Sequence, residues 1–253
     1  MTITDALRRV AARAKQRIRP DGAADSLAET HAVRRALADT YLEGDGIEIG
    51  ALHQPLQLPQ AARVKYVDRM SAPELRRHYE ELAGVSLVEV DIIDDGESLA
   101  TVASSSQDFV IANHFLEHCQ NPLATLKALE RVLKEDGVIY MAVPDKRFTF
   151  DVDRPCTSLA HVMRDFEEGP EWSRRGHFEE WARLVNKVNG EKAVEDEINR
   201  LMAVDYSIHY HVWRAHDLLE LMTAAQRLTS LEIELFRRNG FENVVILRKP
   251  MSK

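Results

Sequence analysis

Four groups of residues in this 253-residue chain have types and spacings that could do chemistry. His114, Glu117 and His118 fall at i, i+3 and i+4, one face of a helix. An imidazole changes charge near neutral pH and can take or return a proton. As a ligand set the three mix hard and soft preferences, and we assign no metal to them. A second histidine group lies in Ser207-Ile208-His209-Tyr210-His211-Val212-Trp213. In an extended segment His209, His211 and Trp213 share a face, offering two imidazoles and an aromatic wall to a bound molecule. Both groups also have a structural reading, in which His118 packs the following helix and the other pair is buried and satisfied by backbone.

The third group is a nucleoside pattern. Gly46-Ile47-Glu48-Ile49-Gly50-Ala51-Leu52-His53 is a short apolar run breaking into a glycine turn, where backbone can approach a ligand. About twenty residues on, a second apolar run ends in Asp68, placed to accept from ribose hydroxyls. The fourth is a mixed-charge cluster of Asp145, Lys146 and Arg147. Asp145 could orient a hydroxyl and Lys146 or Arg147 could bind an anion, unless the three form an ion-paired anchor for the chain beyond.

The elements that must position these groups follow from periodicity. A basic amphipathic helix is expected over 4–18 and a second helix over 24–41, forming an N-terminal extension to residue 42. Residues 43–253 form one α/β domain in which strands at 46–50, 63–68, 86–91, 107–112 and 137–143 alternate with helices, including 73–83 and 123–134. Gly137 suits the C-terminal turn of the latter helix. The span 145–212, rich in His, Trp, Arg and acidic residues, reads as a mostly helical cover over the crevice at the strand ends. A helix near 214–228 and strands at 230–237 and 242–248, joined through Arg238-Asn239-Gly240, close the chain as a hairpin.

Composition narrows the function classes. Apolar content of 45% and charged content of 29% are ordinary for a soluble globular protein. A formal net charge of −8 argues against nucleic-acid partners. Cys119 and Cys156 stand far apart in no paired motif, and no apolar run is long enough to span a bilayer. The expectation is a cytoplasmic protein with at most weak membrane-surface contact through its basic first helix. Nothing in the sequence fixes an oligomeric state.

The order of parts resembles a class I S-adenosylmethionine-dependent methyltransferase, a Rossmann-like fold with a mostly parallel sheet and a C-terminal antiparallel hairpin. Four segments between about 43 and 249 carry the resemblance: Glu48-Ile49-Gly50-Ala51, Asp68, Asp91-Ile92, and Asn113-His114-Phe115-Leu116-Glu117-His118 followed by Asn121-Pro122. Ile111-Ala112-Asn113-His114 and Pro144-Asp145-Lys146-Arg147-Phe148-Thr149-Phe150-Asp151 look like a bacterial group associated with glycan assembly. The resemblance implies S-adenosylmethionine as cofactor, held by Glu48, Gly50, Ala51, Asp68, Asp91, Ile92 and Asn113. Where the family has further glycines this chain has Ala51 and His53, and His53 would crowd the methionine end or bond its carboxylate.

Such an enzyme aligns an acceptor for in-line displacement and removes its proton. His114 and His118, just after the fourth strand, are then the nearest bases, with Asp145 as a further catalytic candidate. Lys146, Arg147, His209, His211 and Trp213 would meet the acceptor. The expected reaction is O-methylation of a small polar or sugar-like molecule. The alternative is a non-catalytic relative that binds a partner or the cofactor without turnover. A nicotinamide enzyme is disfavoured by the missing glycines.

Overall fold

Apolar runs bounded by turns pair into one sheet whose C-terminal edge carries the chemistry. The computed structural model describes residues 23–79, 82 and 84–252. The basic helix expected over 4–18, and with it any membrane-surface contact, lies outside them. Helix α1 spans Ala23–Tyr41, and strands β1 (Gly44–Ile49), β2 (Ala62–Asp68), β3 (Ile92–Ile93), β4 (Gln107–Ile111) and β5 (Leu133–Pro144) follow. Between them lie α2 (Ala72–His78) and α3 (Pro122–Val132). The closing elements are α7 (Ala215–Ala225), β6 (Glu232–Asn239) and β7 (Glu242–Arg248). The seven strands are ordered β3-β2-β1-β4-β5-β7-β6, parallel except where β7 joins β5 and β6. This is the expected Rossmann-like sheet with its terminal hairpin.

Burial explains the strand pattern. β1 and β5 are covered on both faces, so residues 138–143 of β5 are continuously apolar and the end of β1 is buried throughout, Glu48 included. One face packs against α3 and α7 through Leu126, Leu129, Leu221 and Met222. The other packs against α1 through Leu37 and Ala38, with Tyr140 and Phe109 beneath them. Gly46 shows how close the central strands lie, because a Cβ there would meet the Phe109 carbonyl oxygen at 2.5 Å.

Two elements differ from expectation. The third strand, expected over 86–91, is only Ile92–Ile93, because Asp91 pairs with Tyr66 through its side chain as well as its backbone. Tyr66 N–H donates to the Asp91 carboxylate at 2.8 Å, while Asp91 N–H donates to the Tyr66 carbonyl at 2.9 Å. A side chain in the ladder interrupts regular pairing at this edge. Helix α3 ends at Val132 on an extended cap, Leu133, so Gly137 falls within β5 and not in a helix C-terminal turn. The left-handed residue there is Asp136 (φ 64°). Gly137 is there for space, since a Cβ would lie 2.9 Å from the Lys134 carbonyl and 3.1 Å from that of Asp108.

The span after β5 is helical as expected: α4 (Leu159–Glu168), α5 (Glu171–Glu180) running into a π turn (Trp181–Val185), and α6 (Glu191–Ala203). It has its own small core, including Phe178, Trp181, Ile198 and Leu201. The segment 207–213 ties it back to the sheet, with His211 N–H donating to the Glu117 carbonyl and Asp145 bridging Trp213.

Helix α1 is locked to the hairpin by charge. Arg34 Nε donates to Glu242 Oε1 at 2.8 Å, and Asn239 Nδ2 donates to the same oxygen at 2.9 Å. Burial works to raise the Glu242 carboxyl, but Arg34 and His114 outweigh it and hold it at about 2. A carboxyl lowered on folding stabilises above its unfolded pKa, and that stabilisation fades as pH falls from about 4.5 towards 2. The shift corresponds to about 3 kcal/mol at neutral pH. Denaturant unfolding of Glu242→Gln should therefore show a deficit of that order at pH 7 that shrinks through this window. A deficit independent of pH would mean the charge contributes nothing.

Candidate active site

A cavity of about 740 Å³ opens where β1, β2 and β4 end, roofed by the cover. Its floor is sheet-edge backbone. Gly50 has φ +64°, and nothing lies within 4 Å of where its Cβ would be. Gly96 closes the adjacent wall, where a Cβ would press on Ile49 at 2.7 Å and Phe115 at 2.8 Å. Asp68 lines the cavity at the end of β2, its carboxylate accepting from the Arg69 and Met70 amides and raised by burial. Arg69 spans from this wall to the roof, donating to Tyr79 Oη at 2.7 Å and to Asp205 at 2.9 Å.

Several expected cofactor residues stand elsewhere. Glu48 is buried beneath the turn and accepts from the Leu56 amide at 3.0 and 3.2 Å; burial pushes its carboxyl up to about 7. It therefore shapes the loop and does not line the cavity. His53 is exposed, 3.1 Å from Gln54, so it neither crowds nor contacts the space. Asp91 and Ile92 serve the β3 edge, and the acidic residues that line the cavity just beyond it are Asp95 and Glu97. Ala51 and Asn113 flank the cavity without lining it.

The histidines divide into three roles. His114 reaches the cavity with φ 50°, but its Nε2 lies 2.7 Å from Arg34 Nη2 and 3.0 Å from Glu242 Oε2. It belongs to the α1–hairpin lock. His118 lines the cavity and donates Nδ1–H to the Ile208 carbonyl at 2.9 Å. Burial and the neighbouring His209 push it down to about 3, making it neutral and a poor base. His209 also lines the cavity, with Nδ1 2.8 Å from Asp151 Oδ2. A carboxylate only accepts, so Nδ1 carries the proton and Nε2 is left for a ligand. Burial works to lower His209, but Asp151 outweighs it and raises the imidazole. Asp151 is itself fixed by Arg154 at 2.8 Å and Thr149 at 3.0 Å.

The remaining candidates hold the roof. Asp145 is buried and grips Arg147 Nε at 2.9 Å; burial pushes its carboxyl up, but Arg147 outweighs this and holds it low. Lys146 donates to the Val152 carbonyl at 2.9 Å. This is the anchoring ion-pair loop, and none of the three lines the cavity. His211 is fully buried and stacked on Trp213, behind the cavity wall.

Sequence reasoning missed Asp151 and Phe150, although both fall in the quoted stretch from Pro144; Trp181 belongs to the cover's small core and also lines the cavity. Phe150 and Trp181 lie against His209, with ring centroids 4.8 and 5.9 Å away. The Trp181 indole N–H is buried with no hydrogen-bond partner among the described residues.

Residues 28–226, most of the chain and all of this site, match the family described as Methyltransferase domain. The chain belongs to that family. S-adenosylmethionine is accordingly the cofactor of this methyltransferase. The residues present fit it: an open glycine turn, a carboxylate at the end of β2 and a cavity of ligand size. Among solved structures, an Aquifex aeolicus SAM-dependent methyltransferase is 11% identical, with 94% of this chain and 97% of that one covered and a TM-score of 0.46. One from Methanosarcina mazei is 16% identical, with 84% and 96% covered and a TM-score of 0.45. Likeness at this level says nothing about the acceptor. No curated protein matches the methyltransferase.

Proposed function

We propose that this methyltransferase methylates a hydroxyl oxygen of a small polar, sugar-like acceptor, with His209 as the general base. The observation that carries the reading is the Asp151–His209 pair on the cavity wall. Asp151 fixes the imidazole tautomer and stabilises the imidazolium formed when the acceptor's proton arrives at Nε2. Its charge raises the His209 pKa above the ordinary imidazole value and so makes the imidazole a stronger base.

The cofactor supplies an electrophilic methyl group when bound. Asp68, Gly50 and Asp95 are the groups we place against it, and Phe150, Trp181 and Ser207 against the acceptor. An aromatic wall beside hydrogen-bonding groups suits a ring bearing several hydroxyls. His118 stays neutral and directs an acceptor by hydrogen bonding.

The protein should transfer label from S-adenosylmethionine to a small molecule in extracts of its source cell. Fragmentation of the product should place the methyl on oxygen. Label on nitrogen or carbon would refute the oxygen assignment. Cofactor binding with no labelled product across such extracts would favour a non-catalytic binding subunit.

A further inference from the structure

The cover contains a second convergence of side chains, apart from the cavity. His161 and Asp165 lie one turn apart on α4, His177 is on α5, and His211 comes from the segment 207–213. One potential ligand atom from each falls within 4.8 Å of all the others. His161 Nε2 is 3.1 Å from His177 Nε2 and 3.3 Å from Asp165 Oδ2, and His211 Nε2 is 3.7 Å from Asp165 Oδ2. None of the four residues lines the cavity.

We infer that these four side chains form a tetrahedral zinc site that holds the cover together. Zinc bonds to imidazole nitrogen and carboxylate oxygen at about 2.0–2.1 Å, so neighbouring ligands in a tetrahedron lie about 3.3–3.4 Å apart. The three measured separations bracket that edge. Three nitrogens and one oxygen suit zinc and disfavour calcium or magnesium, which take oxygen cages.

The carboxylate supplies the second observation. Ser173 Oγ donates to Asp165 Oδ1 at 2.9 Å, fixing the carboxylate's orientation. Oδ2, fully buried, then faces the three imidazoles with no hydrogen bond. Leaving a buried carboxylate oxygen unpaired is costly, and a cation at the centre removes that cost. The other approach to His211 Nε2 is the Gln120 carbonyl at a long 3.4 Å.

With all four corners taken by the chain, no corner remains for water, so the ion is structural. It would join α4, α5 and the segment that carries His209, two residues from His211, into the cavity roof. The inference is independent of the acceptor and of the reaction.

The test uses the full chain, loaded with Zn²⁺ and desalted, with metal content measured by plasma mass spectrometry. About one zinc per chain should remain, and stripping it should lower the melting temperature by about 10 °C. Co²⁺ in its place should give the intense visible absorption of a tetrahedral ion. His161→Gln with His177→Gln should abolish retention, while His118→Gln should keep it. No ion retained by the parent, or a weak octahedral cobalt spectrum, overturns the inference without recourse to any variant. Retention in the double variant, or loss in His118→Gln, overturns it by moving the ion to Glu117, His118 and His209, which also converge.

Discussion

His209→Gln is expected to lower turnover by about 10²–10⁴-fold, the usual contribution of a positioned general base. The same variant should bind S-adenosylhomocysteine with nearly parental affinity, because the cofactor-side groups sit at the ends of β1 and β2. The parent's pH profile supplies the sign. A base must be unprotonated, so activity should rise with pH through the His209 pKa, which Asp151 places above the ordinary imidazole value. Asp151→Asn removes that influence and leaves burial, which lowers the pKa. The rising limb should then move to lower pH while maximal turnover falls. A parental profile in both variants would remove His209 from proton transfer. His114→Ala should act differently, costing stability through the Arg34–Glu242 lock.

Asp68→Ala is expected to weaken cofactor binding by about 1.5–3 kcal/mol, roughly 10–150-fold in Kd, the scale of a lost charge-assisted hydrogen bond. Asp91→Ala provides the contrast. Its carboxylate bonds the Tyr66 amide at the sheet edge, so this variant should lose stability with little change in Kd. The pair therefore tests whether Asp68 meets the cofactor while Asp91 only builds the sheet edge. Equal loss of affinity in both would show that the β2–β3 edge, and not a specific contact, controls binding.

The contrast between those two aspartates also marks how far the sequence could be read. Apolar runs such as Ile47–Ile49 and 138–143 specify buried parallel strands, and Asn239-Gly240 specifies the hairpin, because burial and turn chemistry are local properties. The positions of Gly50 and Asp68 on the cavity wall were legible for the same reason: each ends a strand whose run is visible. Asp91 was not, because an aspartate that replaces a rung of the ladder looks in sequence like one that meets a ligand. For Asp145 the ion-paired alternative was legible, its partner Arg147 being only two residues away.

The cover was recognisable as helical and as lying over the crevice, but its internal pairings were not. His209 meets Asp151 across 58 residues, and His211 meets Asp165 across a helix pair. Alternation put His209 and His211 on one face, yet one of them reaches the cavity and the other is sealed behind it. Only tertiary packing decides that. The imidazole that reaches the cavity was therefore not distinguishable from the one sealed behind it.

The most direct measurement is a calorimetric titration of the parent protein with S-adenosylhomocysteine, repeated with Asp68→Ala and with a nicotinamide cofactor. The site described above predicts saturable heat for one ligand per chain, much weaker binding in the variant, and none for the nicotinamide. No heat with S-adenosylhomocysteine, or unchanged affinity in Asp68→Ala, would contradict the placement of the cofactor in this cavity.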